Sequence, residues 1–444
     1  MPAAQVQEPT GDPDRPPRAV HGGDADGADA GSRRGLARVA ALALGVLAGI
    51  GGFLDTGGVI TAVSAGARFK YALVWTVVFG LIGFAVFAEI SGRVAVASAQ
   101  PTYEVIRARL GPRLGAIPLI ANVLVHVLTL AVDVVGMALA LQLLTGVGYR
   151  LWVPVVAIAL GVALWALSFT RVDTAAALVG LTMFVMVAAM IKLAPDWPHV
   201  ATSLVHPIVP AHPPVLVYLF GVTSLLGAFM TPYQFDFYSS GAIEEGWDGR
   251  DLKQNRIVSV FGTLFGAFIT LGVMVAGAQA LYPFRQPVDT IRAAAHPALS
   301  AFGHIGFVIF IVGVFAVSLA ASVELCLSGG YGVAQYFGWE WGKSGPAAGA
   351  PTFNLIYLAM IAVAMIIDVT GIDPIRFTVI TMALGAAALP FTFGPLLLIA
   401  NDRQYMGRLR NTRAINTVAI IVLAVLVLVT LATLPLLVVT HGNF

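Results

Sequence analysis

About eleven apolar runs, each close to twenty residues or longer, follow one another between Leu36 and Val439. A helical run of that length matches the thickness of a bilayer core. Lipid offers no partner to backbone N–H and C=O groups, so only helices or closed barrels span it. The short alternating segments of a barrel are absent. The chain therefore reads as an all-α integral membrane protein with about eleven transmembrane helices. Only 11% of its residues are charged and its mean hydropathy is +0.87, whereas soluble domains carry about 25% charge. The runs fall near 36–63, 70–98, 115–146, 151–169, 174–194, 215–239, 255–282, 300–330, 352–370, 374–400 and 414–439.

The first 35 residues are rich in Pro, Gly, Asp and Ala and hold no apolar run. They read as a disordered tail, and the charged start and short apolar core of a secretory signal are missing. With that tail in the cytoplasm, 18 of the 25 Lys and Arg fall on cytoplasmic segments, as the positive-inside rule asks. An odd number of spans then puts the C-terminus outside, in a multi-pass protein of the cell membrane. The net charge of +2 gives no reason to expect nucleic acid. The single cysteine, Cys326, excludes an intrachain disulfide framework and a cysteine-based metal cluster. Segment 195–214 reads as an external loop. Its His199, His206 and His212 could bind metal, but they match no helical ligand spacing.

Polar residues inside the runs narrow the function. The first run carries GGFLDTGG, residues 51–58, with Asp55 near its middle and no compensating charge beside it. A carboxylate at that depth costs about 2.5–3.5 kcal/mol on insertion scales. Gly57 and Gly58 weaken the helix at the same place. The combination reads as a broken helix whose freed carbonyls and one carboxylate face a polar cavity suited to a cation. The alternative is a buried Asp that caps a kink or pairs with another helix. The sixth run, LFGVTSLLGAFMTPYQFDFYSSG, carries Pro232 mid-span. Proline removes one donor and leaves a carbonyl near Ala228 without a partner. Thr231, Gln234 and Asp236 add polar atoms there. Runs one and six each open a block of five, and interrupted helices at matching positions of two halves mark a transporter's binding site.

The remaining buried polar residues are fewer. Glu89 and Arg93 lie one helical turn apart, which reads as an intrahelical pair. Asp133 follows His126 and Asn122 along the third run and reads either as a proton-relay carboxylate or as an interhelical contact. Glu324 is equally open. Lys192, at the end of the fifth run, reads as snorkelling to the interface.

These residues together resemble the NRAMP divalent-metal transporters. LDTGGVITAVSAGARFKYALVW is similar to that family's DPGN motif and following AGAxFGYxLLW stretch. DVVGMALALQLLTG resembles EVIGTAIALNLLFG, LLGAFMTPYQ resembles GATVMPHN, and ALPFTFGPLL resembles LPFALIPLL. The matches spread over nearly the whole membrane region. They imply a LeuT-like fold of two inverted five-helix repeats, 36–194 and 215–400, plus one additional helix, 414–439. They also imply a secondary transporter rather than an enzyme, with a divalent cation as substrate and no cofactor. No HExxH, paired-carboxylate or serine–histidine constellation speaks for catalysis.

The departures from the family are informative. Asp55 keeps the motif's Asp, and Ala228 keeps the position whose carbonyl binds metal in the family. The motif's Asn falls at Gly58 and the family's Met thioether at Thr231. Two histidines of the sixth span fall at Tyr233 and Tyr238. In span three the family's Asp falls at Leu130 and its Glu at Asp133, and in span ten a polar Gln falls at Met382. The implied metal ligands are therefore Asp55, Ala228 and Thr231, with Gly58 leaving room for water. Thr56, Tyr233, Gln234, Asp133 and Tyr238 stand around them or along the path. An all-oxygen site that keeps waters suits Mg2+, with Mn2+ tolerated. The pattern resembles the NRAMP-related magnesium transporter branch. Tyrosine cannot replace histidine near neutral pH, so weak or no proton coupling is expected. The alternatives are a proton-coupled Mn2+/Fe2+ symporter and an amino-acid carrier of the same broad fold, whose substrate carboxylate Asp55 would repel.

Overall fold

The structure is a computed structural model that describes residues 54–166, 169–342 and 349–442. The tail, the first part of the first run and Lys343 lie outside the described residues. The helices are α1 (Thr56–Phe69), α2 (Trp75–Ser98), α3 (Thr102–Thr145), α4 (Tyr149–Ala166), α5 (Phe169–Gly180), α6 (Phe184–Lys192) and α7 (Trp197–Val205). They continue with α8 (Val215–Phe229), α9 (Pro232–Glu244), α10 (Leu252–Ala280), α11 (Ile291–Ala294), α12 (His296–Phe337), α13 (Pro351–Val369), α14 (Pro374–Asn401), α15 (Arg403–Met406) and α16 (Arg413–Thr440). Among the described residues, ten helical stretches are long and apolar enough to cross a membrane. The described part of the first run is α1, 14 residues long.

Two expectations change. Segment 195–214 is not all loop, because α7 occupies nine of its residues. Asp196 caps α7 by accepting from the His199 N–H at 3.2 Å, and Pro198 sits in its first turn, a strong helix start. His199 packs edge-on against Tyr71 at 5.3 Å. The third and eighth runs also extend well beyond the apolar stretch, and each bends at one glycine. Gly111 (φ 79°) lies near the start of α3 and Gly303 (φ 63°) near the start of α12. Only glycine adopts such a φ without strain. These helices are the third of each block of five, so the two halves share a bend.

The described core falls into two main apolar clusters. One joins α3, α4, α12 and α13, through residues such as Val134, Val153, Leu325 and Phe353. The larger joins α1, α2, α6, α8, α10 and α14, through residues such as Val63, Phe87, Met186, Leu225, Val273 and Leu389. Small residues bring backbones together inside the second cluster, as is usual for helices packed in lipid. A Cβ on Gly277 of α10 would stand 2.9 Å from the Val63 carbonyl of α1, and one on Gly66 of α1 would run into the Met274 carbonyl of α10. Gly227 of α8 likewise lies directly against the Met382 carbonyl of α14. α1 and α8 therefore sit at fixed heights on their neighbours, and their interrupted ends are placed by these contacts.

Candidate metal site

α1 begins at Asp55, not before it. Asp55 is extended (φ −124°, ψ −179°), and its Oδ1 accepts from the Gly58 N–H at 2.5 Å. The Asp-Thr-Gly-Gly spacing is that of an N-cap, in which the side chain satisfies the donor three residues on. The helix end also favours negative charge. Capping engages Oδ1 only. Oδ2 is buried and has no protein partner. The two readings of Asp55, cap and open carboxylate, describe its two oxygens.

α8 ends on the other interrupted helix. Met230 (φ −127°, ψ 57°) and Thr231 (φ −68°, ψ 131°) break the chain between α8 and α9. Pro232 stands four residues after Ala228. Having no N–H, it cannot give Ala228 the bond that a continuous helix would. The C-terminal end of α8 thus presents carbonyls, which attract a cation. The Thr231 hydroxyl and both amide atoms of Gln234 are buried without a protein partner. Leaving a polar atom so costs about 1–3 kcal/mol. Among the described residues, no three His, Cys, Asp or Glu side chains gather as a metal cluster.

Thr56 and Asp133 bracket the cap from the α3 side. The Thr56 N–H donates to Asp133 Oδ1 at 3.0 Å, and its hydroxyl bonds the Ser318 hydroxyl of α12. A Cβ on Gly136 of α3 would collide with the Thr56 side chain. Thr56 thus faces α3 and α12. Asp133 Oδ2 is left buried without a partner. Tyr233 opens α9 within electrostatic range of Asp55, Asp133 and Glu324. Its carbonyl accepts from Ser328 at 2.8 Å. Tyr238 is placed elsewhere: its hydroxyl donates to the Asn255 carbonyl at 3.2 Å, and its ring meets Trp247. Lys192 is exposed over the ring of Phe302.

Other groups come together that sequence reasoning left apart. Asp236 Oδ2 accepts from the Tyr103 hydroxyl at 3.0 Å, which in turn accepts from Asn122 at 2.6 Å. His126 Nε2 stands 3.8 Å from the same Asp236 oxygen. Asp236 follows Thr231 by five residues on α9, so this group lies about one and a half turns below the break. Ser318 is also new; a lone serine in an apolar run carries no signal of its own.

A family model described as natural resistance-associated macrophage protein-like matches residues 45–435. A divalent metal cation transporter MntH of Pectobacterium carotovorum is 24% identical over 368 residues, covering 81% of this chain and 85% of that protein. One of Deinococcus radiodurans is 23% identical over 374 residues, covering 82% of each. In structure, the chain is similar to an Eremococcus coleocola manganese transporter, with a TM-score of 0.68, 19% identity, and 87% and 84% of the two chains covered. A nucleobase-cation-symport-1 family transporter superposes with a TM-score of 0.60 at 16% identity, covering 90% and 91%. The backbone arrangement is thus of the LeuT-like kind.

Proposed function

Since this chain belongs to the natural resistance-associated macrophage protein-like family, we propose that it carries divalent metal cations across the cell membrane, with Mg2+ preferred and Mn2+ tolerated. The observation that carries the reading is where two helices start and stop: α1 starts at Asp55 and α8 ends just before Pro232. One offers the open oxygen of Asp55, the other the Thr231 hydroxyl and the Ala228 carbonyl, to which Pro232 can give no hydrogen bond. Gly58 adds no side chain, which leaves room for retained water. A small hard ion that sheds water reluctantly suits such a shell. Because the cation is cargo, no resident cofactor is assigned.

Uptake needs little beyond the membrane potential. A dication gains twice about 2.3 kcal/mol per 100 mV on moving to a negative interior. Tyr233 and Tyr238 stand where the family's sixth-span histidines fall, and Leu130 where it has an Asp. That pattern supports facilitated uptake with weak or no proton coupling. The Lys and Arg pattern supports a cytoplasmic N-terminus and an outer C-terminus. The shared bend at Gly111 and Gly303 supports inverted repeats over 36–194 and 215–400, with 414–439 added.

Flux into liposomes under an imposed potential tests the proposal with Mg2+, Mn2+ and Ca2+ and a dye for luminal pH. The expected result is saturable Mg2+ uptake that Asp55→Ala abolishes, without matching acidification. Uptake of Mn2+ alone, or acidification in step with the metal, would overturn it.

A further inference from the structure

The sixth run brings no sulfur to the site. Thr231 is a hydroxyl, and Met230, its neighbour in sequence, is turned away. A Cβ on Gly83 of α2 would stand 2.9 Å from Met230 Sδ and 3.1 Å from Val422 of α16. Met230 therefore packs between α2 and α16. A thioether nevertheless comes to the flank of Gly57, two residues after Asp55, from another helix. A Cβ built on Gly57 would stand 2.6 Å from Met382 Sδ, 2.5 Å from Met382 Cε and 3.2 Å from Asp55 Oδ1. Sulfur and carboxylate thus crowd one flank of the first-turn glycine of α1. Met382 is 1% exposed.

The rest of Met382 is held by the second interrupted helix. Its carbonyl lies against Gly227, the residue before Ala228. Met382 therefore touches the last turn of α8 with its backbone and the first turn of α1 with its side chain. Two glycines make this possible: any side chain at Gly57 would displace the sulfur, and any at Gly227 would push α14 away. A thioether is polarisable, has three rotatable bonds and can move by a torsion change without shifting its helix. Toward a hard ion wrapped in water it is a weak ligand; toward softer dications it is a good one.

We propose that Met382 is a specificity-determining residue of this site, whose thioether, delivered by α14 to the flank of Gly57 beside Asp55, is the soft donor that admits Mn2+ and Cd2+. This deepens the transport reading above and rests on it: oxygens hold the hard ion, and one sulfur widens the range to softer ones.

The test is Met382→Leu, which keeps volume and apolarity and removes only the sulfur. Full-length protein in liposomes is assayed for Mn2+, Cd2+ and Mg2+ uptake. Apparent affinity for Cd2+ and Mn2+ should fall about tenfold and that for Mg2+ by less than about twofold, the difference a lost soft ligand makes. An unchanged Cd2+ to Mg2+ ratio, or a parallel loss for all three ions, makes Met382 packing only and overturns the proposal. Wild-type protein that carries Mn2+ and Cd2+ through Met382 but no Mg2+ would sink the hard-ion reading and leave this one standing. Should Met382→Leu fail to fold, X-ray absorption of Cd2+ bound to Cys326→Ser protein decides. A sulfur neighbour is expected, and an oxygen-only shell would overturn the proposal.

Discussion

Two of the buried groups of charged and polar side chains among the described residues are finished differently. At Arg93 every nitrogen of the guanidinium has an acceptor. Nε and one terminal nitrogen bond the two oxygens of Glu89 at 3.0 Å, that terminal nitrogen also reaches the Asn411 amide oxygen at 2.6 Å, and the other terminal nitrogen reaches the Leu409 carbonyl at 2.5 Å. Asn411 is itself tied to Asn416, and Asn416 to Asn401. The pair that reads in sequence as a simple (i, i+4) bridge is the centre of a joint between α2 and the start of α16. At the helix interruptions, by contrast, Asp55 Oδ2, Asp133 Oδ2, Thr231 Oγ1 and the Gln234 amide are buried and open. A satisfied group holds helices together; an unsatisfied one awaits a ligand. Burial and charge alone do not separate a joint from a site, whereas the state of the last lone pairs does.

The contrast breaks most sharply at Arg93. Arg93→Ala leaves the Glu89 carboxylate buried without its main partner and should destabilise the protein by about 3–5 kcal/mol. Thermal unfolding in detergent reads this, and the order of ion preference in surviving protein should not change. Asp55→Asn keeps an oxygen for the cap and removes the charge. Transport should fall about a hundredfold or more, near 2.7 kcal/mol, while unfolding temperature holds or rises, because a carboxylate at bilayer depth no longer has to be accommodated. If Asp55→Asn unfolded like Arg93→Ala, the two regions would not differ in kind. Gly58→Asn with Thr231→Met adds an amide and a thioether and should move preference toward Mn2+ by about tenfold, or 1.4 kcal/mol, in competition flux. Tyr103→Phe gives the smallest change. It removes one donor to Asp236, in a group that is partly closed, and should cost about 1 kcal/mol of stability with transport nearly intact.

The parts of this site that were legible in the sequence are those set by a few adjacent residues. Asp55 was visible because an ionisable residue in an apolar run is costly, and Pro232 because it lacks an N–H. The capping of α1 follows from the spacing of Asp55 and Gly58. The start of α7 was equally available in Asp196 and Pro198, but the proline and histidine content of the segment argued for a loop. Met382 was marked in sequence only as the place of the family's polar Gln. Its sulfur lies against Gly57 because α14 packs on α8 at Gly227 and on α1 at Gly57, and helix register of that kind is not written in any one run. The bends at Gly111 and Gly303 were hidden for another reason: glycine is common in membrane helices, and a positive φ leaves no mark on composition. The approach of His126 to Asp236 likewise depends on how α9 settles against α3.

The account stands on Asp55, at the start of α1, and the Ala228 carbonyl, at the end of α8, binding one cation. Diffraction at the manganese edge from crystals grown with Mn2+ tests this most directly. An anomalous peak is expected between Asp55 Oδ2 and the Ala228 carbonyl, and it should vanish in Asp55→Asn. A peak bound elsewhere, or one that persists in the variant, would contradict the account.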